Sequence, residues 1–284
     1  MICLCFAKKR VQRYEFYSIL PNFRKIFFLL TEILLSSQQK TECMLIKTKA
    51  IVLHSLKYGD ASVIVEMFTE QNGRQAFAVR IPKTSKAKVK KQYFQPLTIL
   101  DIEYDYRQKT DLQRLRDVRI AMPFSSVPFD PVKMSVVLFL AEFLHYVTRG
   151  EQQNIPLYQY IENSLEWLDA CDGGFANFHL VFTMRLARFL GFFPNLEDYV
   201  DGCCFDLRSA SFVIMPPLHS DFLKPQEAAR VNQLMRMNYE TMRLFKMSHA
   251  DRNQITDVIM RYYRQHVPQM PELRSLEIVR ELWR

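Results

Sequence analysis

The hydrophobic pattern divides the chain into two parts with different periods. Apolar and β-branched residues first come in short runs, at 48–56, 61–69, 75–81, 97–106 and 115–122. In the second run Val63, Val65 and Met67 alternate with Ile64, Glu66 and Phe68; in the fourth, apolar residues alternate with Asp101, Glu103 and Asp105. That two-residue period belongs to strands with two distinct faces. Tyr58-Gly59-Asp60 and Gln71-Asn72-Gly73-Arg74 separate the first three runs. Asn-Gly between alternating runs is a strong hairpin signal, because both residues tolerate the positive φ of a type I′ turn.

From Asp130 the period lengthens. Asp130-Pro131 supplies an N-cap and a first-turn proline, and Val136, Leu140, Phe143, Leu144 and Val147 follow at helical spacing. Further helices are predicted over 155–168, 175–190, 227–237, 239–245, 251–266 and 273–283, the third helix of the domain ending at Gly191, a natural C′ residue. Between Gly191 and Pro225 the helical period stops, and 203–207 and 211–214 read as two short strands of a hairpin.

Five short strands within about 75 residues fit the partly open OB-fold barrel; an SH3-like barrel has much the same pattern. The expected class is α+β in two domains: a barrel over 44–123, then an all-α domain over 124–284 carrying a hairpin insert near 203–214. Residues 1–43 stand apart. Their apolar run, Ile26 to Leu30 and Ile33 to Leu35, is interrupted by Glu32 and is too short to span a bilayer. They read as a non-native or disordered extension before a start at Met44, with an amphipathic anchor helix as the rival reading. No membrane association is expected of the rest.

Charge changes this picture more than composition does. The net charge is +8 over 284 residues, but residues 44–122 hold 15 Lys and Arg against 8 Asp and Glu, whereas residues 123–284 hold 16 against 19. A basic barrel joined to a mildly acidic helical part is an electrostatic footprint for a polyanion. Between the third and fourth strands, Lys83, Lys86, Lys88, Lys90 and Lys91 fall within nine residues without an acid, preceded by Arg80 and followed by Tyr93 and Phe94. Ammonium groups on a loop suit phosphates, and nearby rings suit bases.

Other chemistry is poorly supported. The 7 glycines form neither GxGxxG nor GxxxxGK[ST], so no phosphate loop is present. His54, His145 and His179 lack ligand spacing, and Ser62, Asp60 and His54 form no nucleophile elbow. Asp101, Glu103 and Asp105 read as an exposed acidic strand edge. The 6 cysteines form no spaced disulfide framework, which suits a reducing cytosol.

Three strings carry a resemblance. Lys49-Ala50-Ile51-Val52-Leu53, then Tyr58-Gly59-Asp60-Ala61-Ser62, Phe68-Thr69 and Gly73-Arg74, resemble the start of the RecO family of bacterial recombination mediators. Arg185-Leu186-Ala187-Arg188-Phe189-Leu190-Gly191-Phe192-Phe193-Pro194-Asn195-Leu196 resembles its central helix and exit. Cys203-Cys204-Phe205-Asp206-Leu207-Arg208 sits where family members carry a Cys-containing insert. The resemblance covers residues 44–284. It implies an N-terminal OB-fold, a helical C-terminal domain and, in some members, a four-cysteine zinc module. It also implies binding of single- and double-stranded DNA, annealing of complementary strands, and work with RecR and the C-terminal tail of single-stranded DNA-binding protein to load RecA.

The zinc module departs from that pattern. Cys203 and Cys204 are adjacent, no second Cys pair follows, and His219 and Asp206 are the remaining candidates, so neither metal nor cofactor is expected. The hairpin is expected to be held by Phe205 and Phe212.

The leading reading is a cytoplasmic, nucleoid-associated DNA-binding mediator without catalytic chemistry. Its expected DNA contacts are Lys47, Lys49, Arg74, Arg80, Lys83, Lys86, Lys88, Lys90, Lys91 and Tyr93. Arg185 and Arg188, three apart on one helix face beside Phe189 and Phe192, are the expected seat for the acidic tail peptide. The alternative is a non-enzymatic protein- or RNA-binding scaffold with a basic β-barrel.

Overall fold

The computed structural model describes residues 44–59, 61–82 and 89–282. Residues 1–43, Asp60, Lys83, Lys86, Lys88 and Trp283 lie outside the described residues.

Five strands, β1 (Met44–Tyr58), β2 (Ser62–Thr69), β3 (Gly73–Arg80), β4 (Ile99–Tyr106) and β5 (Leu112–Met122), close into a barrel in the order β1-β2-β3-β5-β4. The parallel β3–β5 contact, Ala76 opposite Leu112 through Ala78 opposite Arg114, closes it in the OB-fold manner and settles the choice against an SH3-like barrel. β1 is far longer than its sequence run because it serves two neighbours. Met44 to Ile51 pair with β4 and Ala50 to Tyr58 with β2. Consecutive apolar residues of β1 alternate between two cores, and a register shift between Val52 and His54 leaves Leu53 on the same outer face as His54.

Two apolar clusters result. Ile46, Ala50, Val52, Val65, Met67, Phe77 and Tyr104 fill the barrel, and Phe94, from the 3-10 turn Lys91–Phe94 that joins β3 to β4, packs into the same core. Ile51, Leu53, Phe68, Leu97 and Ile99 instead face the helices and belong to their core. This explains why residues 48–56 read as a continuous apolar run rather than an alternating one.

The helical part contains α1 (Pro131–Val147), α2 (Ile155–Ala170), α3 (Phe178–Leu186), α4 (Pro225–Arg236), α5 (His249–His266) and α6 (Leu276–Glu281). Asp130 caps α1 as expected, its carboxylate accepting from the N–H groups of Val132 and Lys133. Three predicted helices are shorter. Past Leu186 the chain continues as turns to Gly191, whose φ of +85° ends them. Residues 239–245 keep only the 3-10 turn Met242–Leu244, because the Asn177 side-chain amide donates to the Met242 and Phe245 carbonyls. The last helix starts late because the Glu142 carboxylate accepts from the Arg274 and Ser275 N–H groups ahead of it.

The insert is larger than a hairpin. β6 (Cys204–Asp206) pairs with β7 (Ser211–Val213) and also with β8 (Phe222–Leu223), in the order β7-β6-β8. Phe205 and Phe212 lie opposite each other, ring centroids 4.9 Å apart, and Phe205 also meets Tyr262 of α5. Cys203 and Cys204 are buried free thiols.

The linker between barrel and helices is clamped. The Asp169 carboxylate, at the end of α2, accepts from the N–H groups of Ser125, Ser126 and Val127. Burial alone would raise its pKa, but these bonds hold it at about 2. Buried Lys133 donates to Ser126 Oγ and to the Asp169 and Cys171 carbonyls.

The Asn-Gly turn does more than close a hairpin. Gly73 has φ +62°, a Cβ there would lie 2.3 Å from the Gln152 carbonyl oxygen, and the Arg74 N–H donates to Glu151 O at 3.0 Å. The turn is thus pressed against the loop after α1. Gly73→Ala is expected to cost about 3 kcal/mol or more in urea unfolding, through left-handed strain and collision together. Gly59→Ala, with φ +70° and nothing within 4 Å of the new Cβ, is expected to cost only about 1 kcal/mol.

Candidate nucleic-acid interface

The barrel's cations fall into two groups, those neutralised inside the molecule and those left facing solvent. Lys47 lies opposite Glu103 across β1 and β4 and forms an ion pair with it at 2.6 Å. Lys49 reaches from β1 to Glu162 of α2 at 2.8 Å, a bond that raises the pKa of its ammonium. The three β4 carboxylates form no strand edge, since β4 lies between β1 and β5 in a closed barrel. Asp101 lies opposite Lys49 and Arg119, Glu103 binds Lys47, and Asp105 binds Arg116 at 2.6 Å.

Arg74 is the clearest departure from expectation. Its side chain is only 13% exposed, and its guanidinium is consumed by the joint between barrel and helices. Nη1 donates to the His145 carbonyl and to Thr148 Oγ1, both at 3.0 Å; Nη2 donates to the Glu66 carboxylate and lies 2.8 Å from His145 Nδ1. A buried guanidinium with four partners cannot also meet a phosphate. Glu66 accepts from both partners, and the His145 bond first, then the Arg74 charge, hold its carboxyl at about 2 despite burial.

His54, Glu66 and His145 are the one group among the described residues whose donor atoms converge as a metal site would, all within 4.8 Å. Arg74 already bonds two of the three, so a cation there would have to displace a guanidinium. His54 is pushed below its ordinary pKa by burial and then by the neighbouring His145 ring.

The remaining expected contacts keep their charge available. Arg80 ends β3, Lys90 precedes the 3-10 turn and Lys91 opens it, all three exposed and without an ion-pair partner among the described residues. Tyr93 is half-buried against the barrel core rather than freely presented. Lys83, Lys86 and Lys88 lie outside the described residues.

Five further exposed cations went unassigned in the sequence: Lys57, Arg107, Lys109, Arg114 and Arg119. Arg107 and Lys109 stand in the β4–β5 turn, which Gln113 orders by accepting from Arg107 N–H and donating to the Arg107 and Thr110 carbonyls. The run Arg107-Gln108-Lys109-Thr110-Asp111 between two strands was the available signal.

The expected peptide seat is only partly presented. α3 ends at Leu186, so Arg185 and Arg188 do not share a helix face. Arg185 donates from Nε and Nη2 to the Met237 carbonyl. Phe189 stacks on Tyr160 at 4.8 Å and Phe192 on His266 at 4.8 Å. Arg188 is exposed and lies 4.4 Å over the Phe193 ring.

Residues 44–124 match the family described as Recombination protein O N terminal, and residues 128–277 the one described as Recombination protein O C terminal. The chain belongs to the RecO family. The DNA repair protein RecO of Phocaeicola vulgatus is 51% identical over 240 residues, covering 84% of this chain and 100% of the relative. That of Bacteroides fragilis is 51% identical over 241 residues and that of Flavobacterium johnsoniae 34% over 242, each again over 84% of this chain and 100% of the relative. The barrel and helical parts are thus the RecO N- and C-terminal domains of a DNA repair protein, and among the described residues no helix is long and apolar enough to cross a membrane.

The Glu66 joint makes a pH prediction for this RecO domain pair. A carboxyl held at about 2 when folded, against an ordinary 4.5, stabilises the fold above the unfolded pKa and loses that effect as pH falls from about 4.5 towards 2. Glu66→Gln is therefore expected to be less stable than the natural chain at neutral pH, with the gap closing over that window in paired thermal melts.

Proposed function

We propose that the chain is a DNA-binding recombination mediator that binds single- and double-stranded DNA, anneals complementary strands and uses no catalytic chemistry of its own. Its working units in this reading are the barrel of residues 44–123 and the helical domain of residues 124–284. The observation that carries the reading is the surplus of uncommitted charge on the barrel of a DNA repair family. Lys57, Arg80, Lys90, Lys91, Arg107, Lys109, Arg114 and Arg119 have no ion-pair partner among the described residues, whereas Lys47, Lys49, Arg74 and Arg116 do.

Cations without internal carboxylates are the ones that release counterions from a polyphosphate. Roughly six contacts give an affinity that falls by about a thousandfold between low and physiological salt. Two strands held on one cationic surface also repel each other less, a physical route to annealing. The lysine segment from Lys83 to Lys91 and Arg80 supply phosphate contacts. Lys47 and Lys49 contribute less, because each would first have to leave a carboxylate.

In this reading the partners are RecR and the C-terminal tail of single-stranded DNA-binding protein, and RecA is loaded indirectly. The tail carboxylate meets Arg188, the one guanidinium of the expected seat that is not bonded to a main-chain carbonyl. A chain working on chromosomal DNA is cytoplasmic and associated with the nucleoid.

The test replaces Lys86, Lys88, Lys90 and Lys91 together with Glu and measures binding to labelled single-stranded DNA against salt. Affinity is expected to fall at least about a hundredfold at low salt, the log–log salt slope to drop by about 3, and annealing to be lost. A salt response that is flat in the natural chain, or unchanged by the substitutions, favours instead a protein- or RNA-binding scaffold.

A further inference from the structure

The insert exposes apolar side chains that the helical part does not use. Between β7 and β8, Ile214 is 80% exposed, Met215 79% exposed and Leu218 fully exposed. Val200 stands exposed on the segment whose Tyr199 ring meets Phe212 of β7 at 5.1 Å. The rest of the chain, its own barrel included, leaves these side chains uncovered. The tip they form is held in place all the same. β6 pairs with the strands on both sides of it, and Pro216 and Pro217 restrict the backbone between them. An apolar tip ordered in advance loses little freedom when it is covered.

Charge indicates what covers it. Residues 195–224 carry five carboxylates against Arg208 and Lys224. Asp221 is paired with Arg208, and Asp206 accepts from the Arg208 N–H and the Ser209 hydroxyl. Glu197, Asp198 and Asp201 are exposed, flank Tyr199 and Val200, and have no ion-pair partner among the described residues. The tip is thus apolar and anionic, and its complement is a surface that is apolar and cationic.

This chain carries such a surface at the β4–β5 end of its barrel. Leu112 and Arg114, two apart, share one face of β5, and Leu45 lies across Asp105 from Arg114. Leu45 and Leu112 are exposed. Arg107, Lys109 and Arg114, without an ion-pair partner among the described residues, outnumber Asp111, and Asp105 is buried and bound to Arg116. We infer that the tip of the insert docks on this end of the barrel in a second copy of the chain. The two surfaces differ, so the contact is head-to-tail and can propagate from copy to copy. A few apolar side chains and about as many charges meet, which makes the contact weak, with a Kd on the order of 10–100 μM. Resting on the DNA-binding reading above, the consequence is regulatory: the tip and a polyphosphate compete for Arg107, Lys109 and Arg114.

The test measures the mass of the full chain by light scattering, from about 1 to 200 μM protein and about 50 to 500 mM salt. The natural chain is expected to associate as its concentration rises and to dissociate as salt screens the contact. A tip variant, Asp198→Lys with Asp201→Lys, and a barrel variant, Arg107→Glu with Lys109→Glu, are each expected to stay monomeric, because each brings like charges together. Mixed one to one, they are expected to associate again, since the natural tip of one meets the natural barrel of the other and the two reversed surfaces also match. Leu218→Ser is expected to weaken association of the natural chain about tenfold. A natural chain that stays monomeric throughout leaves the tip to another protein and overturns the inference; a barrel variant that associates by itself overturns it in favour of a contact between tips. An excess of short oligothymidylate is expected to dissociate the natural assemblies, and assemblies that persist overturn the competition. Binding of labelled oligothymidylate to the tip variant, whose barrel is intact, separates the two readings: its absence at low salt defeats the DNA-binding reading alone. The substituted positions are exposed, and unchanged melts verify that the variants fold.

Discussion

Glu66, on the outer face of β2, holds Arg74 of β3 and His145 of α1 at once, beside the contacts of Ile51, Leu53 and Phe68 with the helices. The two parts of the molecule are organised about this joint. Apolar burial supplies most of the stabilisation, at roughly 1.5–3 kcal/mol for each large side chain. The charged trio contributes direction more than energy, since a half-buried ion pair loses solvation as it gains attraction. Gly73 lets the Asn-Gly turn approach the Glu151 and Gln152 carbonyls, and the Asp169 and Lys133 clamp fixes the linker on the opposite side of the sequence. Barrel and helices are thus coupled by apolar contact, by ions and by main-chain hydrogen bonds.

The joint also determines which surface the barrel can offer. It covers the upper half of one sheet face and consumes Arg74, while Glu162 of α2 consumes Lys49. What stays exposed is the rest of that face, with Tyr58, Arg80 and Arg114, together with the β4–β5 turn and the turn that carries Lys90 and Lys91. The cationic surplus of the barrel thus lies where the helices do not reach.

The insert is packed onto the helical part through its aromatic residues. Cys203 and Cys204 are buried thiols at the start of a three-stranded sheet whose Phe205 and Phe212 rings meet each other and, through Phe205, the α5 residue Tyr262. Arg208 closes on Asp221, and His266 approaches the Leu207 carbonyl. Ring contacts and main-chain pairing hold the sheet, which rests on the helical core rather than standing alone.

Much of this was legible along the chain. The periods of two and 3.6, the Asn-Gly and Asp-Pro signals and the excess of lysine and arginine before Met122 are local properties, and local physics expresses them directly as strands, turns, an N-cap and a charge imbalance. The helices at 239–245 and 273–283 were overestimated because Asn177 and Glu142, distant in sequence, take up main-chain groups there, and the one at 175–190 because the chain turns after Leu186 towards Gly191. The roles of individual cations were not legible at all. Lys49 finds Glu162 at a separation of 113 residues and Arg74 finds His145 at 71, so identical side chains on one barrel become either structural or available only once the chain has folded. The amino-acid sequence by itself determined that the barrel is basic and two-faced. Tertiary structure alone decided which charges and which half of the outer face stay free, because neutralisation and burial depend on partners that only folding brings within reach.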